Sequence, residues 1–231
     1  MLFILRRSSI PFLFALLCPY WQGASAQPLD SDDPASIDRR SLIPEPLDRP
    51  PVWVGEVQLS TVFPMERSLL CPSAAACVYD GGGGVGGSIE LRWPRGYAFG
   101  FEYDIWFLDG NGVFELSSQH VFEPFARYVF VTRRSVHPFL SGGAGFMGFG
   151  DTLKMSSFGL SVDFKAGLEI ELSTSLALTV GMRWRSFTAS SFVTPNDSAV
   201  RGGSGLASAL CFEIGLAIFQ ANRGPMLKSL Q

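Results

Sequence analysis

Apolar and polar residues alternate one by one along most of the chain after residue 51. The clearest run is Phe158–Leu172, in which every second residue is apolar and the intervening positions include Asp163 and Glu169. A period of two places the two sets on opposite faces of a β-strand and excludes a helix. The same pattern in Val85–Trp93 and Tyr97–Phe107 predicts strands with one face suited to hydrocarbon and one that carries charge.

Strands and links together predict an all-β protein, a single eight-stranded antiparallel up-and-down transmembrane barrel. The predicted strands are Val52–Phe63, Val85–Trp93, Tyr97–Leu108, His120–Val131, His137–Phe149, Phe158–Leu172, Leu176–Phe187 and Gly205–Phe219. Long, polar or glycine-rich links (64–84, 109–119, 150–157 and 188–204) alternate with tight ones (94–96, 132–136 and 173–175). This alternation is typical of outer-membrane barrels, and an even number of strands predicts that both mature termini are periplasmic.

The N-terminus predicts export. Arg6 and Arg7 precede the apolar run Ile10–Leu17, and Ala24–Ala26 supplies the small residues of a cleavage site. A membrane anchor is the alternative, but the run is too short to span a bilayer. We expect a signal peptide at 1–26, a disordered periplasmic lead-in at 27–51, the barrel at 52–219 and a C-terminal tail at 220–231.

Composition agrees with a membrane protein that lacks a spanning helix. Hydrophobic residues make up 47% of the chain and charged residues 17%, with 20 phenylalanines and 25 glycines. The formal charge of −3 becomes −5 when the leader, with its two arginines and no acids, is removed. A basic nucleic-acid-binding surface is therefore not expected.

The two faces of the strands differ in the way a small membrane barrel requires. The polar faces mix small residues with both signs of charge, which suits a narrow lumen where carboxylates pair with cations. This predicted lumen network comprises Glu102, Asp104, Glu123, Arg127, Asp163, Lys165, Glu169, Arg183, Arg185 and Glu213. Two aromatic girdles are predicted at the membrane interfaces, one of Trp93, Tyr97, Phe130 and Phe219, the other of Phe63, Phe107, Phe122 and Trp184. A secreted soluble β-protein with an ordinary aromatic core is the alternative.

The cysteines and the glycine run receive structural interpretations. Cys71 and Cys77, in the first external loop, could form a disulfide in an oxidising exterior. Cys211 falls on a polar, small-residue face and is expected to be an inert filler. The glycines at 81–84 and 86–87 are followed by no helix that could hold a phosphate, so we interpret them as a flexible end of that loop.

The sequence contains few residues that could form a catalytic or metal-binding site. Ser118 and His120 share a strand face, with Glu115 and Glu123 nearby, so a serine hydrolase is geometrically conceivable. No strained nucleophile turn or acid partner is specified. Two histidines without clustered cysteines make a poor metal site. We therefore expect no catalytic residues, no metal and no cofactor.

One pair of segments carries a family resemblance. Arg127-Tyr128-Val129-Phe130, followed by His137-Pro138-Phe139-Leu140-Ser141-Gly142-Gly143-Ala144-Gly145-Phe146, resembles the small outer-membrane β-barrel family, of the type of the outer-membrane protein A transmembrane domain and outer-membrane protein W. Gly167-Leu168-Glu169 and Arg183-Trp184 extend the resemblance. Family members often end on an aromatic residue, whereas this chain continues after Phe219 to Gln231.

The sequence is compatible with three functions. The first is a non-enzymatic envelope scaffold that displays surface loops, the second a narrow pore for small or hydrophobic solutes, and the third a lipid-modifying enzyme. A small barrel is usually filled by its own side chains, which favours the scaffold over the pore. The expected partners are outer-membrane lipid, lipopolysaccharide and the barrel-assembly machinery, together with a surface ligand of unknown identity.

Overall fold

The computed structural model describes residues 51–132 and 135–220. The predicted signal peptide, residues 27–50 of the predicted lead-in and residues 221–231 of the predicted tail lie outside the described residues. Across the described ranges, no helix has the length and apolar character needed to cross a membrane.

Eight strands make up most of the described chain. They are β1 (Val52–Glu66), β2 (Gly82–Arg92), β3 (Tyr97–Leu108), β4 (Ser117–Val129), β5 (Val136–Asp151), β6 (Lys154–Ser173), β7 (Leu176–Val193) and β8 (Val200–Gln220). Each strand pairs antiparallel with the next, and β1 pairs with β8, so the sheet closes into a barrel. The predicted eight-stranded antiparallel up-and-down barrel is confirmed.

The barrel has two distinct ends. We call the end that holds Val52 and Gln220 the terminal end, and the end that holds the links after β1, β3, β5 and β7 the loop end. Strands β6 and β8, of 20 and 21 residues, are almost twice as long as β2, which has 11. One side of the wall therefore contains much longer strands than the other.

Side chains alternate between the two surfaces of the wall as the period of two predicts. In β6, Val162 and Phe164 are exposed on the outside, whereas Asp163 and Lys165 are buried inside. The arrangement is the reverse of a soluble barrel, because the apolar residues face outward and the charged residues face the lumen.

The prediction of a long link at 150–157 is wrong. Strand β5 continues to Asp151 and β6 begins at Lys154, so Thr152 and Leu153 alone connect them. Their φ angles of 48° and 66° are those of a two-residue hairpin turn of type I′, which usually contains Asn-Gly. Because neither threonine nor leucine favours positive φ, the turn has no recognisable sequence signal.

The interpretation of the glycine run as a flexible loop end is also wrong, because β2 begins at Gly82. A Cβ atom at Gly84 would clash with the Trp106 side chain, and one at Gly86 would clash with the Asp104 carboxylate. Because Gly84 and Gly86 have no side chains, Trp106 and Asp104 of β3 have the space to extend over β2.

Phe219 does not belong to the outer aromatic girdle. Its position in β8 alternates with the exposed Ile218 and Gln220, and the Arg92 guanidinium lies over its ring, 5.2 Å from the centroid. The ring also packs beside the buried cluster that contains Val54 at the terminal end. Phe219 therefore helps to close the lumen at that end.

Candidate functional site

All ten residues of the predicted lumen network are buried inside the barrel. They come from β3, β4, β6, β7 and β8, at positions that alternate with outward-facing apolar residues. The structure adds Glu56 from β1, and it places Glu90 and Arg92 of β2 in the lumen, on the charged face that the alternation in Val85–Trp93 predicts. Glu56 alternates with exposed Gly55 and Val57, so the period of two in β1 is a usable signal for it.

Three arginine-centred groups divide the network along the barrel. Nearest the terminal end, Arg92 donates to Glu169 at 2.8 Å and 2.9 Å and to Glu90 at 2.5 Å and 3.0 Å. Above it, Arg127 donates from both terminal nitrogens to Glu56 at 3.0 Å, and the Thr179 hydroxyl donates to the same carboxylate at 2.6 Å. These contacts join β1, β2, β4, β6 and β7 across the lumen.

Lys165 connects the Arg127 group to the third group, which contains Arg183 and Arg185. The Lys165 ammonium lies 2.7 Å from a Glu213 oxygen and donates to the Gln58 side-chain carbonyl at 2.8 Å. Gln58 in turn donates to Glu102 at 2.7 Å and to Asp104 at 3.0 Å. A polar side chain that the sequence reasoning missed thus connects the charges of two levels.

The third group contains the most crowded charges. Arg183 contacts Glu102 and lies 2.6 Å from Asp104, while one nitrogen of Arg185 lies 2.8 Å from both Asp104 and Glu123. Oxygens of these three acids lie within 4.8 Å of one another, a spacing that a metal ion could use. The two guanidinium groups already supply the positive charge at this point, so the geometry is that of an ion-pair network.

Loop L1, residues 67–81, closes the loop end of the barrel. Leu70, Val78 and Tyr79 are fully buried, and the Tyr79 ring meets the Phe187 ring edge-on at 5.5 Å. The same apolar cluster includes the lumen residue Trp106, whose ring lies 4.7 Å from the Arg185 guanidinium carbon. The sequence predicts an external loop at this position, but the apolar residues of L1 fold into the mouth of the barrel.

Several contacts hold L1 in this position. Cys71 and Cys77 form a disulfide within the loop. The buried Arg201 at the start of β8 donates to the Ala76 carbonyl at 2.6 Å and pairs with Asp197, whose pKa is lowered by the hydrogen bond from Arg201. L1 is thus stapled to itself and bonded to the wall.

The candidate catalytic residues do not assemble into a triad. Ser118 and His120 alternate with buried lumen residues and share the outer face with Phe122, whereas Glu123 faces the lumen. The His120 Nδ1 atom lies 2.8 Å from the Tyr103 hydroxyl. Ser118 Oγ and His120 Nε2 have no hydrogen-bond partner among the described residues. The wall therefore separates the serine and histidine from the nearby lumen carboxylate.

Comparisons with known proteins identify the architecture. No protein-family model and no curated protein sequence matches this chain. Among solved structures, Neisserial surface protein A aligns with a TM-score of 0.51 and 14% identity, over 72% of this chain and 96% of that chain. The outer membrane protein OprG from Pseudomonas aeruginosa aligns with a TM-score of 0.51 and 11% identity, over 74% and 97%. At these identities the likeness concerns the fold, and this chain has the fold of the small eight-stranded outer-membrane β-barrels.

Proposed function

We propose that this protein spans the outer membrane of a Gram-negative envelope as a sealed, non-enzymatic barrel that acts as a scaffold and displays its loop end at the cell surface. The main support for the membrane assignment is that large apolar side chains are exposed on the outer surface of the barrel. Phe101, Phe146 and Phe164, from three different strands, are 55%, 71% and 61% exposed. Soluble monomers rarely expose a continuous apolar surface of this kind, whereas lipid requires it.

The orientation is part of the proposal. The signal peptide predicted at residues 1–26 and the even number of strands favour a periplasmic terminal end and an external loop end. Insertion would then require the barrel-assembly machinery, and lipopolysaccharide would surround the outer half of the wall.

The filled lumen favours a scaffold over a pore. Charged side chains from every strand except β5 meet inside the barrel, and each member of the network is at least nine-tenths buried. L1 adds a second, apolar closure above them. A solute would have to displace both, and separating buried ion pairs leaves their partners uncompensated.

A lipid-modifying enzyme is the weaker alternative. An acyl-transfer triad needs a serine, a histidine and an orienting acid in hydrogen-bonded sequence. In this barrel Ser118 Oγ is not bonded to His120, and Glu123 lies on the other face of the sheet. The geometry therefore offers a serine and a histidine, with Glu123 on the opposite face of the sheet and Glu115 exposed in the link before β4.

Fractionation tests the proposal. Expressed with its leader in a Gram-negative host, the mature chain should sediment with outer membranes, resist carbonate extraction and migrate faster in gels when unheated. In detergent its circular dichroism should be of the β-type. Recovery as a soluble periplasmic protein would falsify the proposal.

A further inference from the structure

An open groove marks the outer wall where β8, β1, β2 and β3 meet. Its volume is about 840 Å³. Phe101 and Tyr103 line one side and Leu216 and Ile218 the other, while Trp53 lies at the terminal end of the groove. The groove therefore lies within the apolar outer surface and begins near the terminal rim.

Two glycines lie in the floor of this groove, each beside an exposed apolar side chain, Ile89 or Val57, of the neighbouring strand. Gly55 in β1 and Gly87 in β2 face outward at diagonal positions, since Gly55 pairs with Ile89 and Val57 pairs with Gly87. A Cβ atom at Gly55 would meet nothing within 4 Å, and one at Gly87 would meet only the Glu56 carbonyl at an ordinary 3.6 Å. Neither position requires glycine for backbone geometry or for packing within the protein.

Glycine inside a strand weakens it, and it often marks a place where a ligand approaches the backbone closely. The lumen glycines of β2 make room for side chains of this protein, but the two groove glycines make room for nothing in the described chain. Their consequence is open space between the side chains that line the groove.

We propose that this groove binds an acyl chain of a phospholipid from the membrane leaflet at the terminal end, an inference that rests on the proposed membrane-spanning function. The groove is continuous with the lipid-facing surface and is apolar along both sides. At its terminal end, Trp53 pairs in register with Gln220. An indole and an amide at the membrane interface suit the polar part of a lipid whose chain runs inward along the glycine floor.

A second copy of the protein fits the groove less well. A two-fold interface places the same patch of both subunits face to face. Because the patch is concave, two copies would leave a void between them, whereas a flexible, unbranched chain can follow its floor. Self-association through this face is thus an outcome that the test must distinguish.

Native mass spectrometry with dipalmitoyl phosphatidylethanolamine added to the detergent-solubilised protein tests the proposal. The wild type should retain one lipid under activation that strips the detergent. Gly55→Leu combined with Gly87→Leu should fill the groove and abolish this retention. Ala166→Leu, on the exposed outer face of β6, adds a similar side chain away from the groove and should retain the lipid. Faster migration of unheated samples in gels verifies that each variant is folded.

The outcomes separate the possibilities. Retention lost in the double variant and kept in Ala166→Leu supports the acyl-chain site. Equal retention in all three proteins, or none in the folded wild type, overturns it and leaves the membrane assignment intact. A wild-type dimer that dissociates in the double variant overturns it in favour of self-association. Recovery of the wild type from the soluble fraction would instead remove the proposed function and this site together.

Discussion

Replacement of Arg183 by methionine should strongly destabilise the barrel. Methionine keeps a long side chain but removes the charge that contacts Glu102 and lies 2.6 Å from Asp104, 3.1 Å from Glu213 and 3.4 Å from Asp163. All five side chains are buried. Removing one partner of a buried ion pair costs about 3–5 kcal/mol, because the remaining charges stay desolvated without compensation. We expect a loss of folding free energy in this range.

Reversible urea unfolding in phospholipid vesicles, followed by tryptophan fluorescence, measures this loss. Arg67→Met is the matched control, since Arg67 pairs with Asp80 at 3.0 Å while both side chains are about half exposed. An exposed pair contributes about 0–1 kcal/mol. Adding Glu102→Gln to Arg183→Met should restore part of the stability, because it removes one uncompensated carboxylate. If Arg183→Met cost no more than Arg67→Met, the lumen network would not stabilise the barrel.

Three further changes test other parts of the structure. Val162→Arg should lower the free energy of unfolding by about 2–4 kcal/mol, because Val162 faces outward at the bilayer midplane, and Ser161→Arg should lower it less, because Ser161 lies in the lumen beside acids. Urea unfolding that reversed this order would contradict the assigned faces. Leu70→Ala should cost about 2–5 kcal/mol and make L1 sensitive to protease, whereas unchanged cleavage would show that L1 is not packed. The hydrogen bond from Arg201 lowers the pKa of Asp197, so the stabilisation of L1 by this pair should be present at neutral pH and lost as pH falls through that pKa. Proteolysis of L1 should then increase in the wild type and stay constant with pH in Asp197→Asn.

Most of the wall could be predicted from local sequence, because the alternation of one residue in and one residue out leaves a direct record in each strand. Strand β6 illustrates this, since its exposed Val162 and buried Asp163 follow the predicted faces. Phe219 shows the limit of residue type as a guide. Its aromatic ring suggests the interfacial girdle, but its register in β8 turns it inward onto Arg92.

The plug at the loop end could not be predicted in the same way. L1 has no periodic pattern, and its position depends on contacts that are distant in sequence, such as Tyr79 against Phe187 and Ala76 with Arg201. The turn at Thr152 and Leu153 escapes prediction because both residues adopt positive φ without the glycine or asparagine that usually signals it. Local propensity fails where tertiary contacts decide the conformation.

Conductance across a planar lipid bilayer tests the sealed barrel most directly. Four proteins are required: the wild type, a variant with residues 68–80 replaced by a short Gly-Ser link, Arg183→Ala, and the combination of both changes. The two closures lie in series, so the wild type and each single variant should show little or no steady ion current. The combination should show brief openings that the other three proteins lack, because it removes the apolar plug and breaks the densest part of the charge network, while the Arg92 and Arg127 groups stay in place and prevent a steady current. A large, steady current through the wild type would contradict the sealed scaffold and favour a pore.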